Sequence, residues 1–145
     1  MNNSSIEFKW WHTDYKGTFS SHQKGCLKLI KKLLSLGGKQ VCIPCIEEDL
    51  NDIYNRGFYQ KGNKSILNKG RPSQCHRNSC ILYENNKNLS IVTGYALSDD
   101  GYWRQHSWCF DNEKQVIIET TTKRIAYFGF TMTEEEAEQF CFDNW

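Results

Sequence analysis

Residues 90–130 are SIVTGYALSDDGYWRQHSWCFDNEKQVIIETTTKRIAYFGF. β-Branched and aromatic residues are concentrated in four runs of this segment. They predict strands at residues 90–97, 103–110, 115–121 and 125–130. Polar turn-forming sequences separate the first three runs, as Ser98-Asp99-Asp100-Gly101 and Asp111-Asn112-Glu113-Lys114. Strands that follow one another through short turns predict an antiparallel sheet.

The chain before this sheet is mainly helical in pattern. Residues 22–36 carry apolar side chains at helical spacing with lysines on the opposite face, and Gly37-Gly38 ends the pattern. A short strand or turn is expected at residues 40–46 and a helix at residues 47–55. Residues 56–72 contain scattered Gly, Lys and Asn, which indicates a loop.

Two further helices flank the strands. One is expected to begin near residues 73–75 and to run to about Asn85. The last begins at Thr133, which forms a capping box with Glu136, and ends near Phe142. Together these patterns predict an α+β fold, with N-terminal helices packed on a four- to five-stranded antiparallel sheet.

The 145 residues fit a single domain spanning 1–145. Its helical, basic part is residues 1–70, and residues 71–145 carry a helix beginning at a cysteine, the sheet and the C-terminal helix. Residues 1–72 hold 12 Lys and Arg against 6 Asp and Glu, whereas residues 73–145 hold 6 against 11. Attraction between the two halves or solvated lysine faces explain this imbalance, so nucleic acid is not the expected partner.

Location and redox state follow from simple counts. No apolar run is long enough to cross a bilayer, and residues 1–7 lack the basic start and apolar stretch of a secretory signal. The seven cysteines are an odd number, which favours reduced thiols in the cytoplasm. We therefore expect a cytoplasmic protein without membrane contact.

Cys75, His106 and Glu119 form the candidate catalytic group. Cys75 stands at a predicted helix start, where the helix dipole lowers a thiol pKa and first-turn amides can hold an oxyanion. If Phe110 faces Gln115 across the turn, His106 faces Glu119 directly on the next strand. A carboxylate at that distance orients an imidazole that serves as the base.

The motifs Cys75-His76-Arg77-Asn78, His106-Ser107-Trp108, Ile118-Glu119-Thr120-Thr121 and Tyr127-Phe128-Gly129 resemble a family of small, largely uncharacterised bacterial and phage proteins. That family is similar in element order to papain-like thiol enzymes, especially their peptidoglycan-peptidase and transglutaminase-like branch. The resemblance covers residues 71–130 and implies a papain-like core. It also implies that Cys75 is the nucleophile, His106 the base and Glu119 the residue that orients it.

Three polar residues could support this group. By the same resemblance a glutamine helps to form the oxyanion hole, and Gln74 and Gln105 are equal candidates for it. Papain-like enzymes usually place that glutamine several residues before the cysteine, whereas Gln74 is adjacent to it. Asn78 lies one helical turn below Cys75 and could reach the same cleft.

The neighbours of His106 are candidates for the substrate cleft. Trp103 and Trp108 either form walls of the cleft or fill the core. Arg104 shares the face of His106, where it could bind a substrate carboxylate or pair with Glu119 or another acid, and pairing is favoured. His76 is not expected to be the base, because adjacent helical residues point about 100° apart.

Cys42 and Cys45 form a C-x-x-C motif, for which zinc binding, redox chemistry and incidental thiols are alternatives. A zinc site needs two more ligands, which Cys75, His76 or Cys80 would have to supply. The remaining cysteines have apolar or aromatic neighbours that indicate core positions: Cys26, Cys80, Cys109 and Cys141.

These observations predict a cysteine-dependent acyl-transfer enzyme, a peptidase, amidase or deamidase, that acts on a protein or peptide without a metal or other cofactor. The alternatives are a non-catalytic module that binds protein or nucleic acid on the same fold, and a zinc-stabilised interaction protein.

Overall fold

The computed structural model describes residues 19–145. The segment Trp10-Trp11-His12, which could pack on the sheet or contact a partner, lies outside the described residues. The α-helices within 19–145 are α1 (Ser21–Leu36), α2 (Leu50–Arg56), α3 (Cys75–Asn85) and α4 (Glu134–Asn144), and Gly62–Lys64 form a short 3-10 helix. The strands are β1 (Gln40–Cys42), β2 (Phe58–Lys61), β3 (Ile66–Leu67), β4 (Leu89–Leu97), β5 (Tyr102–Asp111), β6 (Val116–Glu119) and β7 (Ala126–Thr131).

The helix boundaries follow local sequence signals. Ser20 and Gln23 form a capping box that begins α1, and Thr133 and Glu136 form one that begins α4. The second box confirms the start predicted for the last helix. None of the helices in residues 19–145 is long and apolar enough to span a membrane.

The strands form one mixed, curled sheet in the order β2-β7-β4-β5-β6-β3, and β1 pairs with the first part of β5. The pairs β1–β5 and β3–β6 are parallel, whereas the others are antiparallel. The α+β class is therefore confirmed. The expectation of four or five purely antiparallel strands is wrong, because three short strands from residues 40–67 join the sheet.

Helices cover one face of this sheet. Helices α1 and α2 pack against a cluster that includes Tyr95, Trp103 and Phe128, and the cluster around Cys80 joins α3 and α4 to Ile91. Side chains of the opposite face, which we call the inner face, are also buried, although α1, α2, α3 and α4 contribute no residue to their cluster. They include Val92, Ala96, Trp108, Ile117 and Tyr127. The curl of the sheet encloses them.

The β5–β6 hairpin differs from the predicted register. Asp111 pairs with Val116, and Cys109 pairs with Ile118. Phe110 therefore does not face Gln115. The Asp111 carboxylate accepts two amide hydrogens of the turn, and Gln115 adopts a left-handed φ of 57°, so the turn begins one residue later than expected. This shift of two in the pairing keeps every side chain on its predicted face.

Candidate active site

The nucleophile candidate, Cys75, is the first residue of α3. The loop before it is fixed to the end of β6, because Asn68 N donates to Glu119 O at 2.8 Å and Gly70 N donates to Thr120 O at 2.7 Å. No side chain caps α3, so its first-turn amides remain available to an oxyanion. The chain thus brings the thiol to the strand that carries Glu119.

Four hydrogen bonds hold the buried Glu119 carboxylate, apart from its contacts with His106. Oε1 accepts from the Tyr127 hydroxyl at 2.8 Å. Oε2 accepts from the amides of Thr120 and Thr121 at 2.9 Å each and from Thr121 Oγ1 at 3.0 Å. This set of donors fixes the carboxylate in one orientation.

His106 Nε2 lies 2.9 Å from Glu119 Oε1 and 3.0 Å from Oε2. In the observed register, continuing the ladder by one pair places Glu119 opposite Trp108, so direct opposition to His106 is wrong and the pair is diagonal. The two side chains nevertheless meet on the inner face. The ring nitrogen Nδ1 is left for the Cys75 thiol.

The electrostatics favour a thiolate and an imidazolium. Burial raises the pKa of Cys75, but hydrogen bonds and charge from His106 and His76 outweigh burial and lower it to about 5. Burial lowers the pKa of His106, but Cys75 and Glu119 raise it above its ordinary value. Burial raises the pKa of Glu119, while bonds from His106, Thr121 and Tyr127 lower it to about 2. These shifts favour a thiolate at Cys75, an imidazolium at His106 and a carboxylate at Glu119.

A cavity of about 430 Å³ opens over the thiol. Cys75 and His106 both line it, and so do Arg104 and Gln105. The rest of its wall is Lys69, Pro72, Ser73, Thr121, Thr122 and Arg124. A larger cavity, of about 610 Å³ between α2 and α4, contains no thiol or imidazole in its lining. The smaller one is therefore the candidate active-site cleft.

The two glutamine candidates are placed differently. Gln105 lines the cleft together with Cys75 and His106, and its Nε2 donates to Glu47 Oε1 at 3.0 Å. The buried Glu47 also accepts from the Tyr95 hydroxyl at 2.5 Å. Gln74 lies next to Cys75 but outside this cleft. Gln105 therefore shares the cleft with both Cys75 and His106, whereas Gln74 shares a separate pocket with Cys75 and His76.

Asn78 faces the loop before the thiol. Its Nδ2 donates to Arg71 O at 2.8 Å, and its Oδ1 accepts from Arg71 N at 3.1 Å. A Cβ added to Gly70 would lie 2.5 Å from the same side chain. Asn78 does not line the cleft, and it holds the chain that leads to Cys75.

Of the two alternatives for the tryptophans, the structure favours the core, because neither Trp103 nor Trp108 lines the cleft. Both are fully buried. Trp103 packs in the core under α1 and donates to Gly37 O at 2.9 Å. Trp108 stacks on His106, with ring centroids 5.9 Å apart. Arg104 lines the cleft and pairs with Asp100 at 2.7 Å, as the pairing prediction expected, and does not pair with Glu119.

His76 is a component of the site that the sequence reasoning set aside. Its Nδ1 lies 3.7 Å from Cys75 Sγ and 2.7 Å from Ser107 Oγ. The ring packs edge-to-face on Phe140 of α4, at 5.2 Å between centroids. His76 therefore ties the start of α3 to β5 and to α4. Neither the helical position of His76 nor its spacing from Cys75 predicts these contacts with Cys75, Ser107 and Phe140.

The other cysteines differ from Cys75. Four are buried, as predicted: Cys26, Cys80, Cys109 and Cys141. Burial raises the pKa of the Cys109 thiol to about 12. Cys42 and Cys45 are both exposed, and residues 19–145 contain no group of three or more His, Cys, Asp or Glu side chains placed to hold a metal ion. The further ligands that the zinc alternative needs are not found beside this motif in the described chain.

Comparison with known proteins gives no matching family model, no matching curated protein and no matching solved structure.

Proposed function

We propose that the protein is a cysteine-dependent acyl-transfer enzyme in which Cys75 is the nucleophile, His106 the general base and acid, and Glu119 the residue that orients His106. The observation that carries this proposal is the buried His106–Glu119 pair beside a thiol whose pKa is lowered to about 5. A perturbed thiol in a cleft, with an oriented imidazole, is the arrangement that nucleophilic catalysis requires.

The reaction begins when the Cys75 thiolate attacks the carbonyl carbon of an amide. First-turn amides of α3 and the side chain of Gln105 stabilise the negative charge that develops on the carbonyl oxygen. The carbon–nitrogen bond then breaks, and the departing amine takes a proton from the His106 imidazolium. Water, deprotonated by His106, attacks the resulting thioester, which releases a carboxylic acid and restores the Cys75 thiolate and the His106 imidazolium.

Papain-like ancestry and the peptidase, amidase or deamidase assignment belong to the same proposal. The support is the element order: a helix that begins with the cysteine, then a strand with the histidine, then a strand with the acid. The substrate is accordingly a protein or peptide.

Acylation by p-nitrophenyl acetate tests the proposal. We expect a burst of nitrophenol equal to the enzyme concentration, an acetyl group on Cys75 by peptide mass spectrometry, and slower turnover to acetate. Cys75→Ala removes the burst, whereas the matched thiol variant Cys42→Ala, which changes an exposed cysteine outside the cleft, retains it. Acetyl groups spread equally over Cys42, Cys45 and Cys75 would refute the proposal.

A further inference from the structure

We infer that the departing amine of the substrate carries a carboxylate, as in an amino acid or a short peptide with a free carboxyl end. The inference rests on the proposed function, because it concerns the leaving-group side of the same cleft. Two observations carry it: the uncompensated positive charge of the cleft wall, and the position of His106 within that wall.

Three cations and no carboxylate line the cleft: Lys69, Arg104 and Arg124. The charge of Arg104 is balanced by Asp100, at 2.7 Å. The Arg124 guanidinium donates only to neutral oxygens, those of Thr122 O, Thr121 Oγ1 and Ser98 Oγ. Lys69 is exposed and forms no ion pair with any of residues 19–145. Two positive charges thus face the cleft without a counter-charge.

The position of His106 decides which part of the substrate meets these charges. The leaving amine must lie against the imidazolium that protonates it, and His106 lines the same cavity as Lys69 and Arg124. Hydrogen bonds already hold the Arg124 side chain in place, so it loses little freedom when it binds a carboxylate.

The cavity on the other side of Gln105 has the opposite charge. It is also lined by His76, and it contains four carboxylates and no Lys or Arg: Glu47, Glu48, Asp49 and Asp143. An anionic group is repelled there and attracted on the His106 side. The opposite charges of these two cavities therefore favour one orientation of the substrate, with its carboxylate on the amine that departs.

Acceptor competition tests this inference, because an amine that attacks the acetyl-enzyme binds where the leaving amine departs. Acetyl-Cys75, formed from p-nitrophenyl acetate, is offered equal concentrations of glycylglycine and glycylglycinamide, which differ in the charge of their far end. We expect acetyl-glycylglycine to exceed acetyl-glycylglycinamide at least about threefold. Lys69→Gln and the double variant Lys69→Gln/Arg124→Gln should bring the ratio progressively to one.

The control variant is Lys28→Gln/Lys31→Gln, which removes the same charge from exposed positions on α1 and should keep the preference. Equal yields from the unaltered protein overturn the inference while leaving the proposed function intact. A preference that persists in Lys69→Gln/Arg124→Gln overturns the assignment to these residues. Failure to form acetyl-Cys75 refutes the proposed function, and the inference with it.

Discussion

At Cys75, two opposing effects act on one sulfur atom. Burial disfavours the thiolate, and contacts with His106 and His76 favour it more strongly. The buried Cys109 experiences the first effect without an imidazole, and its thiol pKa is raised to about 12. Reactivity in this chain is therefore set by the neighbours of a thiol and not by its burial.

The pH dependence of Cys75 alkylation follows from this balance. We expect the iodoacetamide rate at Cys75 to rise with pH with a midpoint near pH 5, because the thiolate is the reacting form. His106→Asn removes the imidazolium and should move the midpoint upward. Mass spectrometry of the Cys75 peptide measures the rate. A midpoint that is the same in both proteins would contradict the role given to His106.

Glu119 makes the free energy of unfolding depend on pH in the acidic range. Its pKa is lowered from 4.5 to about 2 in the folded protein. The ionised Glu119 stabilises the folded protein at pH values above its unfolded pKa of 4.5. This stabilisation is lost as the pH falls from about 4.5 through about 2. We expect Glu119→Gln to lower the free energy of unfolding by about 3–5 kcal/mol at neutral pH, because a charge on the buried His106 then has no partner. Urea unfolding across this pH range measures both effects.

Glu119→Gln should also show a weaker loss of stability between pH 4.5 and pH 2 than the unaltered protein. Glu113→Gln is the matched control, because Glu113 is exposed in the β5–β6 turn. It should leave the acid dependence unchanged. If Glu119→Gln retains the full acid dependence, then other carboxylates cause it.

At the scale of elements, the segment before α3 determines where the thiol lies. Strand β3 runs parallel to β6, and the chain then continues along the end of β6 to Cys75. Ser73 adopts a left-handed φ of 60°, which redirects the backbone into the helix. The scattered Gly, Lys and Asn of residues 56–72 predict a loop here. The two residues of β3, Ile66 and Leu67, are too few and too exposed to give a strand signal.

Substitution of Ser73 tests the importance of this turn. We expect Ser73→Val to be less stable than Ser73→Gly by about 1–2 kcal/mol, since a β-branched residue is disfavoured at positive φ. Ser73→Gly should retain rapid alkylation of Cys75. Chemical denaturation compares the two variants, and equal stabilities would show that the turn is not strained.

The two hydrogen bonds between the Asn78 side chain and the Arg71 backbone, which we call the Asn78 clamp, provide a second test of this segment. Asn78→Asp keeps the acceptor for Arg71 N but removes the donor to Arg71 O, whereas Asn78→Ala removes both. We expect destabilisation of about 1–3 kcal/mol for Asn78→Ala. Alkylation of Cys75 should be fastest in the unaltered protein, slower in Asn78→Asp and slowest in Asn78→Ala. An unchanged alkylation rate in Asn78→Ala would show that the clamp does not position the thiol.

Sequence patterns predicted these elements unequally. The capping box at Thr133 and the alternation in β4 and β5 are local signals, and they gave the correct elements. Strand β2 could not be predicted, because its four residues are polar or half-exposed and are specified by pairing with the distant β7. The β5–β6 turn was misplaced by one residue, since the Asp111 side chain bonds that begin it are invisible in the sequence.

At the scale of the whole molecule, the curl of the sheet creates the buried environment of the site. Gly94 and Gly129 face each other on β4 and β7. A Cβ on Gly129 would lie 2.8 Å from the Trp108 ring, which stacks on His106. The alternation of residues along β5 and β6 was enough to predict that His106 and Glu119 share one face of the sheet. The support by Trp108 and Tyr127 was not predictable, because it depends on how far the sheet closes.

Gly129→Ala is expected to destabilise the protein by about 1–3 kcal/mol, because the added methyl group meets the Trp108 ring and Thr93 O. The displaced indole should also slow alkylation of Cys75 through His106. Differential scanning calorimetry and the alkylation rate measure these effects. Gly25→Ala, where a Cβ meets only the flexible Leu50 side chain, is the control, and it should leave the alkylation rate unchanged.

The order of residues along the chain has a consequence for biosynthesis. Cys75 precedes His106, whose hydrogen bond and charge contribute most to lowering the pKa of its thiol. A nascent chain that has emerged only through α3 contains His76 but lacks the main group that lowers the thiol pKa. The reactive thiolate arises when β5 and β6 have been synthesised and folded, so premature acylation or oxidation of the thiol is suppressed until the protein is complete.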